Sequence, residues 1–293
     1  MNSASPLHGI IPIVYTPFDE DDRIDTGDLH RLVDHLIAAG AHGLAAVGSA
    51  SECHRLTHDE RRWLAEETMR AAAGRAPVIV GVSATNRVDS IALARHVAES
   101  GARAIFSSPP LQGPTDALAL RSYYIALADA VDLPVIVQDA IIPLPLSLFA
   151  DLTMARPNLS CVKEEVPGET GHRISALRSL CPTLSILSGG VYLIDELARG
   201  ATGATPGSIG TADLVAAHER FRAGDVAGAR ARFEHFTPLS FWRRQFPLLG
   251  AKEVLRRMGV FTGARLRAPA GEHLDEQDHR ELTALTERMG PPF

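Results

Sequence analysis

Leu159-Ser160-Cys161-Val162-Lys163-Glu164-Glu165 is a short apolar run that ends abruptly in three charged side chains. It is too short for a helix and apolar nearly throughout, without the alternation of a half-exposed strand. That is the pattern of a strand buried on both faces, as in a parallel sheet. Seven further runs of the same kind lie around it: Ile10–Tyr15, Gly43–Val47, Val78–Gly81, Ala104–Phe106, Val135–Gln138, Leu184–Ser188 and Gly203–Pro206. Helical patterns fill the intervals. Asp28–Ala39 puts Leu29, Leu32, Val33, Leu36 and Ile37 on one face, and Asp59–Ala73, Val88–Ser100, Asp116–Ala130, Leu146–Ala155, Thr170–Leu180, Leu193–Arg199 and Leu214–Arg222 follow. Thr57-His58-Asp59-Glu60 has the form of a capping box, in which a hydroxyl and a carboxylate satisfy the first free N–H groups of a helix. Eight strands, each followed by a helix with no break in composition, predict a closed (β/α)8 TIM barrel over residues 1–222; an open doubly wound sheet is the alternative. Beyond residue 222 the pattern is helical only (Ala227–Phe236, Leu248–Met258 and Asp275–Met289), with one long irregular piece, Thr262–His273. Residues 223–293 are therefore expected to form a C-terminal helical extension packed on the barrel.

Lys163 is conspicuous because only two of the 29 basic residues are lysines. The other, Lys252, lies in a helical segment among arginines. A chain that uses Arg for nearly all its positive charge has little reason to end a buried strand in Lys, unless the amine itself is needed. Unlike a guanidinium, a desolvated ammonium can lose its proton and become a nucleophile. A salt bridge to Glu164 or Glu165 is the plainer alternative.

The 293 residues suit one large domain, a barrel of this type needing about 250. A net charge of -6 without any basic run argues against a nucleic-acid surface. Cys53, Cys161 and Cys181 are widely spaced and odd in number, so neither a disulfide framework nor a zinc site is expected. Met1 to Leu7 lacks a basic segment followed by an apolar core, so no signal peptide is expected. No run approaches the roughly 18 uninterrupted apolar residues of a membrane span. The expectation is a soluble cytoplasmic protein that touches neither membrane nor nucleic acid.

Barrel active sites are built at the C-terminal ends of the strands. Here those ends carry Tyr15-Thr16-Pro17-Phe18, Gly48-Ser49-Ala50-Ser51-Glu52, Ser107-Ser108-Pro109-Pro110, Gln138-Asp139, Lys163-Glu164-Glu165, Ser188-Gly189-Gly190 and Thr205-Pro206-Gly207. One amine, several hydroxyls, an amide and no cluster of metal ligands converge. That inventory suits imine chemistry, in which the amine attacks the carbonyl of a 2-oxo acid and the iminium serves as an electron sink for the next carbon. No cofactor and no metal are required.

With these residues in order, the chain from about Gly9 to Arg267 resembles the dihydrodipicolinate synthase and N-acetylneuraminate lyase family of class I aldolases and lyases. The resemblance is carried by Gly9-Ile10-Ile11-Pro12-Ile13-Val14-Tyr15-Thr16-Pro17-Phe18 as opening strand, and by Gly48-Ser49-Ala50-Ser51-Glu52 in place of a GxxGE loop. Leu56-Thr57-His58-Asp59-Glu60-Arg61, Asp132-Leu133-Pro134-Val135-Ile136, Val162-Lys163-Glu164, Ser188-Gly189 and Gly200-Ala201-Thr202-Gly203-Ala204 follow in the family's order. The resemblance implies Lys163 as the Schiff-base lysine. It also implies a carboxylate pocket at Ser49 and Ala50, formed by their backbone N–H groups and the Ser49 hydroxyl, a sound form of anion site. Ser188, Gly189 and Thr205 are further substrate-binding candidates. By the same resemblance the protein is a homo-oligomer, a dimer or tetramer.

Departures from the family narrow the substrate. The proton-relay tyrosine at the end of the fifth strand is replaced within Gln138-Asp139-Ala140-Ile141, and the second, interfacial tyrosine within Pro109-Pro110-Leu111-Gln112. An amide has no accessible pKa with which to shuttle protons. The arginine for a second substrate carboxylate is missing from the apolar Ile141-Ile142-Pro143-Leu144-Pro145. Dihydrodipicolinate synthase activity is therefore not expected. The run at Gln138 and the Lys-x-Glu at 163–165 look like the branch that includes 2-keto-3-deoxy-arabonate dehydratase. Residues 163 and 165 share a side of the strand end while 164 points away, so Glu165, or a water held by Gln138, is the candidate for proton transfer. Glu164 is expected to pack against helices or to cap one.

The leading expectation is dehydration of a 2-keto-3-deoxy sugar acid. A pyruvate-dependent aldolase, retro-aldolase or hydratase-aldolase acting on an apolar aldehyde adduct is the second. A non-catalytic 2-oxo acid binding protein is the third. The 12 histidines show no metal spacing and are expected on solvated or interfacial helix faces, with His54 alone a minor active-site candidate. Phe241 and Trp242, expected just ahead of a helix at Leu248, suit core or subunit packing.

Overall fold

The computed structural model of the chain describes residues 7–110, 116–140 and 143–290. Eight parallel strands alternate with helices: β1 (Gly9–Ile10), α1 (Thr26–Ala38), β2 (Leu44–Ala46), α2 (His58–Ala72), β3 (Val78–Gly81), α3 (Arg87–Glu99), β4 (Ala104–Ser107), α4 (Ala117–Ala130), β5 (Val135–Asp139), α5 (Leu146–Ala155), β6 (Cys161–Glu164), α6 (Thr170–Leu180), β7 (Ser185–Ser188), α7 (Leu193–Ala198), β8 (Gly203–Ala204) and α8 (Thr211–Arg222). Hydrogen bonding runs in the order β1-β8-β7-β6-β5-β4-β3-β2. Ile13, just beyond β1, bridges Ala45 of β2 on one side and Gly207 on the other. Ala45 N–H donates to Pro12 O (2.9 Å) and Val14 N–H to Ala45 O (2.8 Å), so the two ends of the sheet meet. The barrel is closed, which excludes the open sheet.

Strand composition explains the layering. Side chains alternate across a strand, and two cores result. Ile11, Ile13, Ala45, Ile79, Ala104, Phe106, Ile136, Cys161 and Leu187 fill the barrel interior. Their alternates, among them Val80, Ile105, Val137, Val162 and Ile186, pack outward against the helices. This is why the strands read as continuous apolar runs. β1 and β8 are shorter than the sequence suggests because Pro12 and Pro206 have no N–H to give to a ladder. Where those strands meet, a Cβ on Gly203 would lie 2.0 Å from Gly9 O, so only glycine fits. The Thr57 capping box forms as expected, with Glu60 N–H to Thr57 Oγ1 at 3.2 Å and Thr57 N–H to Glu60 Oε2 at 2.8 Å.

Three more helices follow: α9 (Val226–Arg243), α10 (Leu249–Arg257) and α11 (Glu276–Met289). The expectation that the first of them stops at Phe236 is corrected, because α9 continues through Pro238 for two further turns. Proline forfeits one backbone hydrogen bond, yet Phe236, Leu239 and Trp242 are buried on one face and hold the segment against the barrel. Phe241 and Trp242 are thus in the last turn of α9, the indole buried and Phe241 exposed. No helix of the described residues is long and apolar enough to cross a membrane.

One further expectation is corrected. His218 is buried rather than solvated, in edge contact with His42 at 5.1 Å between ring centroids. Lys252 lies in a helix among arginines, as expected. It is fully buried, with Nζ 2.5 Å from Glu52 Oε1. Leu111, Gln112, Ile141 and Ile142, which carry the expectations about the interfacial tyrosine and the apolar pocket wall, lie outside the described residues.

Candidate active site

The register of β5 and β6 builds the centre of the site. Gln138 pairs with Lys163 and Asp139 with Glu164, so the first pair points into the barrel mouth and the second outward. Lys163 is buried, its ammonium 2.5 Å from Glu165 Oε2 and 6.0 Å from the centroid of the Phe106 ring below it. Gln138 Nε2 donates to the same Glu165 oxygen at 3.0 Å. One carboxylate oxygen therefore receives both the amine and the amide, which fixes Glu165 beside the Lys163 amine. Glu165 N–H donates to Asp139 O at 2.7 Å, continuing the β5–β6 ladder past the strand end. Gly189 leaves room for that carboxylate, since a Cβ there would lie 3.2 Å from Glu165 Oε1.

On the outward side Asp139, Glu164 and Arg173 of α6 form a buried cluster. Arg173 donates to Glu164 Oε2 at 3.0 Å and to Leu144 O at 2.8 Å, and is also paired with Asp139. Glu164 accepts from Val166 N–H at 3.0 Å and Asp139 from Leu144 N–H at 3.0 Å. Burial raises both carboxyls, Glu164 to about 7, against the pull of Arg173 and the backbone donors. Two carboxyls sharing one guanidinium retain a proton more readily than either alone. Their place is structural: they lock the ends of the strands that present Gln138 and Lys163. Glu164 thus packs against a helix, as expected.

The loop after β2 supplies the second part. Val47, buried and β-branched, has φ +60°, and Glu52 has φ +55°. Such backbone costs on the order of 1–3 kcal/mol at each residue and persists only where its surroundings impose it. Here Ser51 Oγ donates to Val14 O (2.6 Å) and accepts from Gly48 N–H (3.2 Å), while Thr16 Oγ1 donates to Ser51 O (2.6 Å). Between the strained residues, Ser49–Ser51 forms a 3-10 turn. Among the described residues, the Ser49 and Ala50 N–H groups have no backbone acceptor, which leaves two donors for an anion.

These parts line one cavity of about 880 Å³ at the C-terminal mouth of the barrel. Lys163, Glu165, Gln138, Ser49, Ala50, Gly189 and Thr205 all border it, together with Ile13, Tyr15, Ser108, Pro206 and Gly207. Ser188 does not. Its hydroxyl is buried and donates to Glu196 Oε2 at 2.6 Å while accepting from Gly190 N–H at 3.2 Å, so it shapes the β7 loop. His54 is exposed and outside the cavity, which removes it as a candidate. Sequence reasoning missed Arg243 and Arg244, which reach the rim from the end of α9. The signal was hidden by Pro238, which suggests a helix end before them. Tyr15, beyond the end of β1, also borders the cavity. Its phenol is buried and raised by that burial, an effect opposed by Arg243 beside it.

The family model described as the dihydrodipicolinate synthetase family matches residues 6–288. L-2-keto-3-deoxyarabonate dehydratase of Azospirillum brasilense is 30% identical over 301 residues, spanning 99% of this chain and 97% of that protein. YagE of Escherichia coli K12, provisionally named a 2-dehydro-3-deoxy-D-gluconate aldolase, is 28% identical over 304 residues, spanning 99% of each chain. Its crystal structure in complex with pyruvate matches with a TM-score of 0.89 at 26% identity, covering 97% of this chain and 98% of that one. A 4-hydroxy-tetrahydrodipicolinate synthase of Rhizobium meliloti is 29% identical over 262 residues, spanning 86% of this chain and 88% of that protein. The site and the fold define a barrel enzyme of the lyase class. The chain belongs to the dihydrodipicolinate synthetase family.

Proposed function

We propose that the protein dehydrates a 2-keto-3-deoxy sugar acid through an imine on Lys163. The observation that carries this reading is the single Glu165 oxygen shared by the Lys163 amine and the Gln138 amide. A carboxylate thus lies beside the Lys163 amine, and by the family resemblance an amide stands where the relay tyrosine would be. The Ser49 and Ala50 N–H groups and the Ser49 hydroxyl hold the substrate carboxylate. Lys163 attacks the C2 carbonyl, the carbonyl oxygen leaves as water, and an iminium forms. Glu165 removes a proton from C3, giving an enamine. That enamine expels the C4 hydroxyl, which leaves as water with the proton returned from Glu165, and hydrolysis of the remaining iminium frees Lys163. Gln138 holds Glu165 over the reacting carbons throughout. The likeness to the Azospirillum dehydratase supports this substrate class.

A second reading is a pyruvate-dependent aldolase. It is favoured by the apolar share of the cavity lining, Ile13, Val191, Pro206, Pro247 and Leu248, and by the likeness to YagE. Both readings use Lys163 and part only at the second half of the substrate. Incubation with 2-keto-3-deoxy acids followed by product analysis separates them. A single dehydrated keto acid supports the dehydratase, whereas pyruvate plus an aldehyde rejects it for the aldolase. We further propose a soluble, cytoplasmic homo-oligomer, a dimer or tetramer.

A further inference from the structure

The second lysine of the chain lies behind the carboxylate loop, not in the cavity. Lys252 of α10 and Glu52 are both fully buried, and their ion pair joins residues 200 positions apart in the chain. Lys252 Nζ also donates to Arg265 O at 2.7 Å and stands 4.5 Å from the centroid of the Phe18 ring. Arg55 donates to the other Glu52 oxygen at 2.6 Å. Arg267 covers the Phe18 ring at 4.4 Å and donates to Glu60 Oε2 at 2.7 Å. Glu52 immediately follows Ser49-Ala50-Ser51, and its N–H donates to Ser49 O at 3.0 Å.

Two physical points make this more than a tie between helix and barrel. Glu52 occupies left-handed backbone, where glycine or asparagine would sit with little strain. A glutamate there has to be held by its side chain, and both its carboxylate oxygens are anchored. Moreover, a buried ion pair is often no more stabilising than apolar side chains of the same size, so bulk stability is a weak reason for one here. Burial pushes Lys252 down to about 8, with the Glu52 charge opposing the fall.

We propose that Lys252 is a positioning residue for the substrate carboxylate: through Glu52 it sets the left-handed turn that aims the Ser49 and Ala50 N–H groups into the cavity. The carboxylate loop is thereby registered from α10 as well as from the barrel strands. This rests on the reading of Ser49 and Ala50 as the carboxylate site.

The test is calorimetric binding of pyruvate and of methyl pyruvate, which offers the same ketone without the negative charge. The variants are Lys252→Met and the charge-neutral double variant Glu52→Gln/Lys252→Met, which tests the idea should the single variant fail to fold. Losing one well-aimed hydrogen bond to a charged group weakens pyruvate roughly tenfold or more, while methyl pyruvate changes less than about twofold. An equal loss for both ligands means general loosening and overturns the proposal, as does unchanged pyruvate binding. A wild-type protein that does not prefer pyruvate over methyl pyruvate overturns the carboxylate site and the proposal with it. Borohydride labelling of wild-type Lys163 with pyruvate is scored separately. Its failure, with the carboxylate preference present and lost in the variants, rejects the imine reading and leaves the role of Lys252 standing.

Discussion

Replacing Glu165 by Gln separates proton transfer from imine formation. In the wild type one Glu165 oxygen lies 2.5 Å from the Lys163 amine and 3.0 Å from the Gln138 amide. Glutamine has the same length and can still accept from Lys163 through its amide oxygen, but it takes up no proton. Stability should change modestly. The Glu165 side chain is 24% exposed and that of Lys163 4%, so with the amide oxygen still accepting from the amine the lost charge costs about 1–2 kcal/mol. For a protein of this size that is roughly 2–8 °C in Tm. Turnover should change far more. A positioned general acid–base contributes about 10²–10⁴-fold, or roughly 3–5 kcal/mol of barrier. The assay is steady-state dehydration of a 2-keto-3-deoxy acid, run beside borohydride labelling with pyruvate. The expected result is kcat reduced by about 10²-fold or more with labelling of Lys163 retained. Full turnover in a folded Glu165→Gln variant removes Glu165 from the mechanism and returns it to a structural ion pair.

Two other perturbations test the frame around the site. Arg173→Met leaves Asp139 and Glu164 buried without their cation, at a cost of about 3–5 kcal/mol. Both carboxyls are already raised in the wild type, Glu164 to about 7, and rise further without the guanidinium, so stability should fall as pH rises from the ordinary carboxylate range through about 7 and be greater at acid pH. Equal urea midpoints at about pH 8 and about pH 5.5 would contradict this. His218 is lowered to about 4, mainly by burial and then by His42. The unfolded chain therefore binds the extra proton first, and stability should decline as pH falls from about 6.5 to about 4. The whole shift corresponds to about 3 kcal/mol, which solvent screening reduces to about 1–2 kcal/mol. His218→Phe should flatten that part of the acid-unfolding curve, and an unchanged slope assigns it elsewhere.

The barrel was legible because each strand is buried on both faces, which writes it as a continuous apolar run. Lys163 was legible because lysine is so rare here. What escaped notice came from contacts distant in sequence. Nothing around Lys252 announces Glu52, two hundred residues earlier, because a helical lysine among arginines looks like surface charge. Arg243 and Arg244 were hidden behind Pro238, where a local rule about proline yields to the packing of Phe236, Leu239 and Trp242. Ser188 looked like a ligand-binding hydroxyl at a strand end. Its partner Glu196 lies on the next helix, and only the fold turns the hydroxyl from the cavity to that carboxylate.

Under the proposed function the Lys163 amine attacks the ketone of a 2-oxo acid. Borohydride reduction of the folded protein in the presence of pyruvate, followed by intact and peptide mass measurement, tests it most directly. One reduced pyruvate adduct per chain is expected, located on Lys163 and absent from Lys163→Ala. A folded protein that gives no adduct, or one whose adduct lies on another residue, contradicts it.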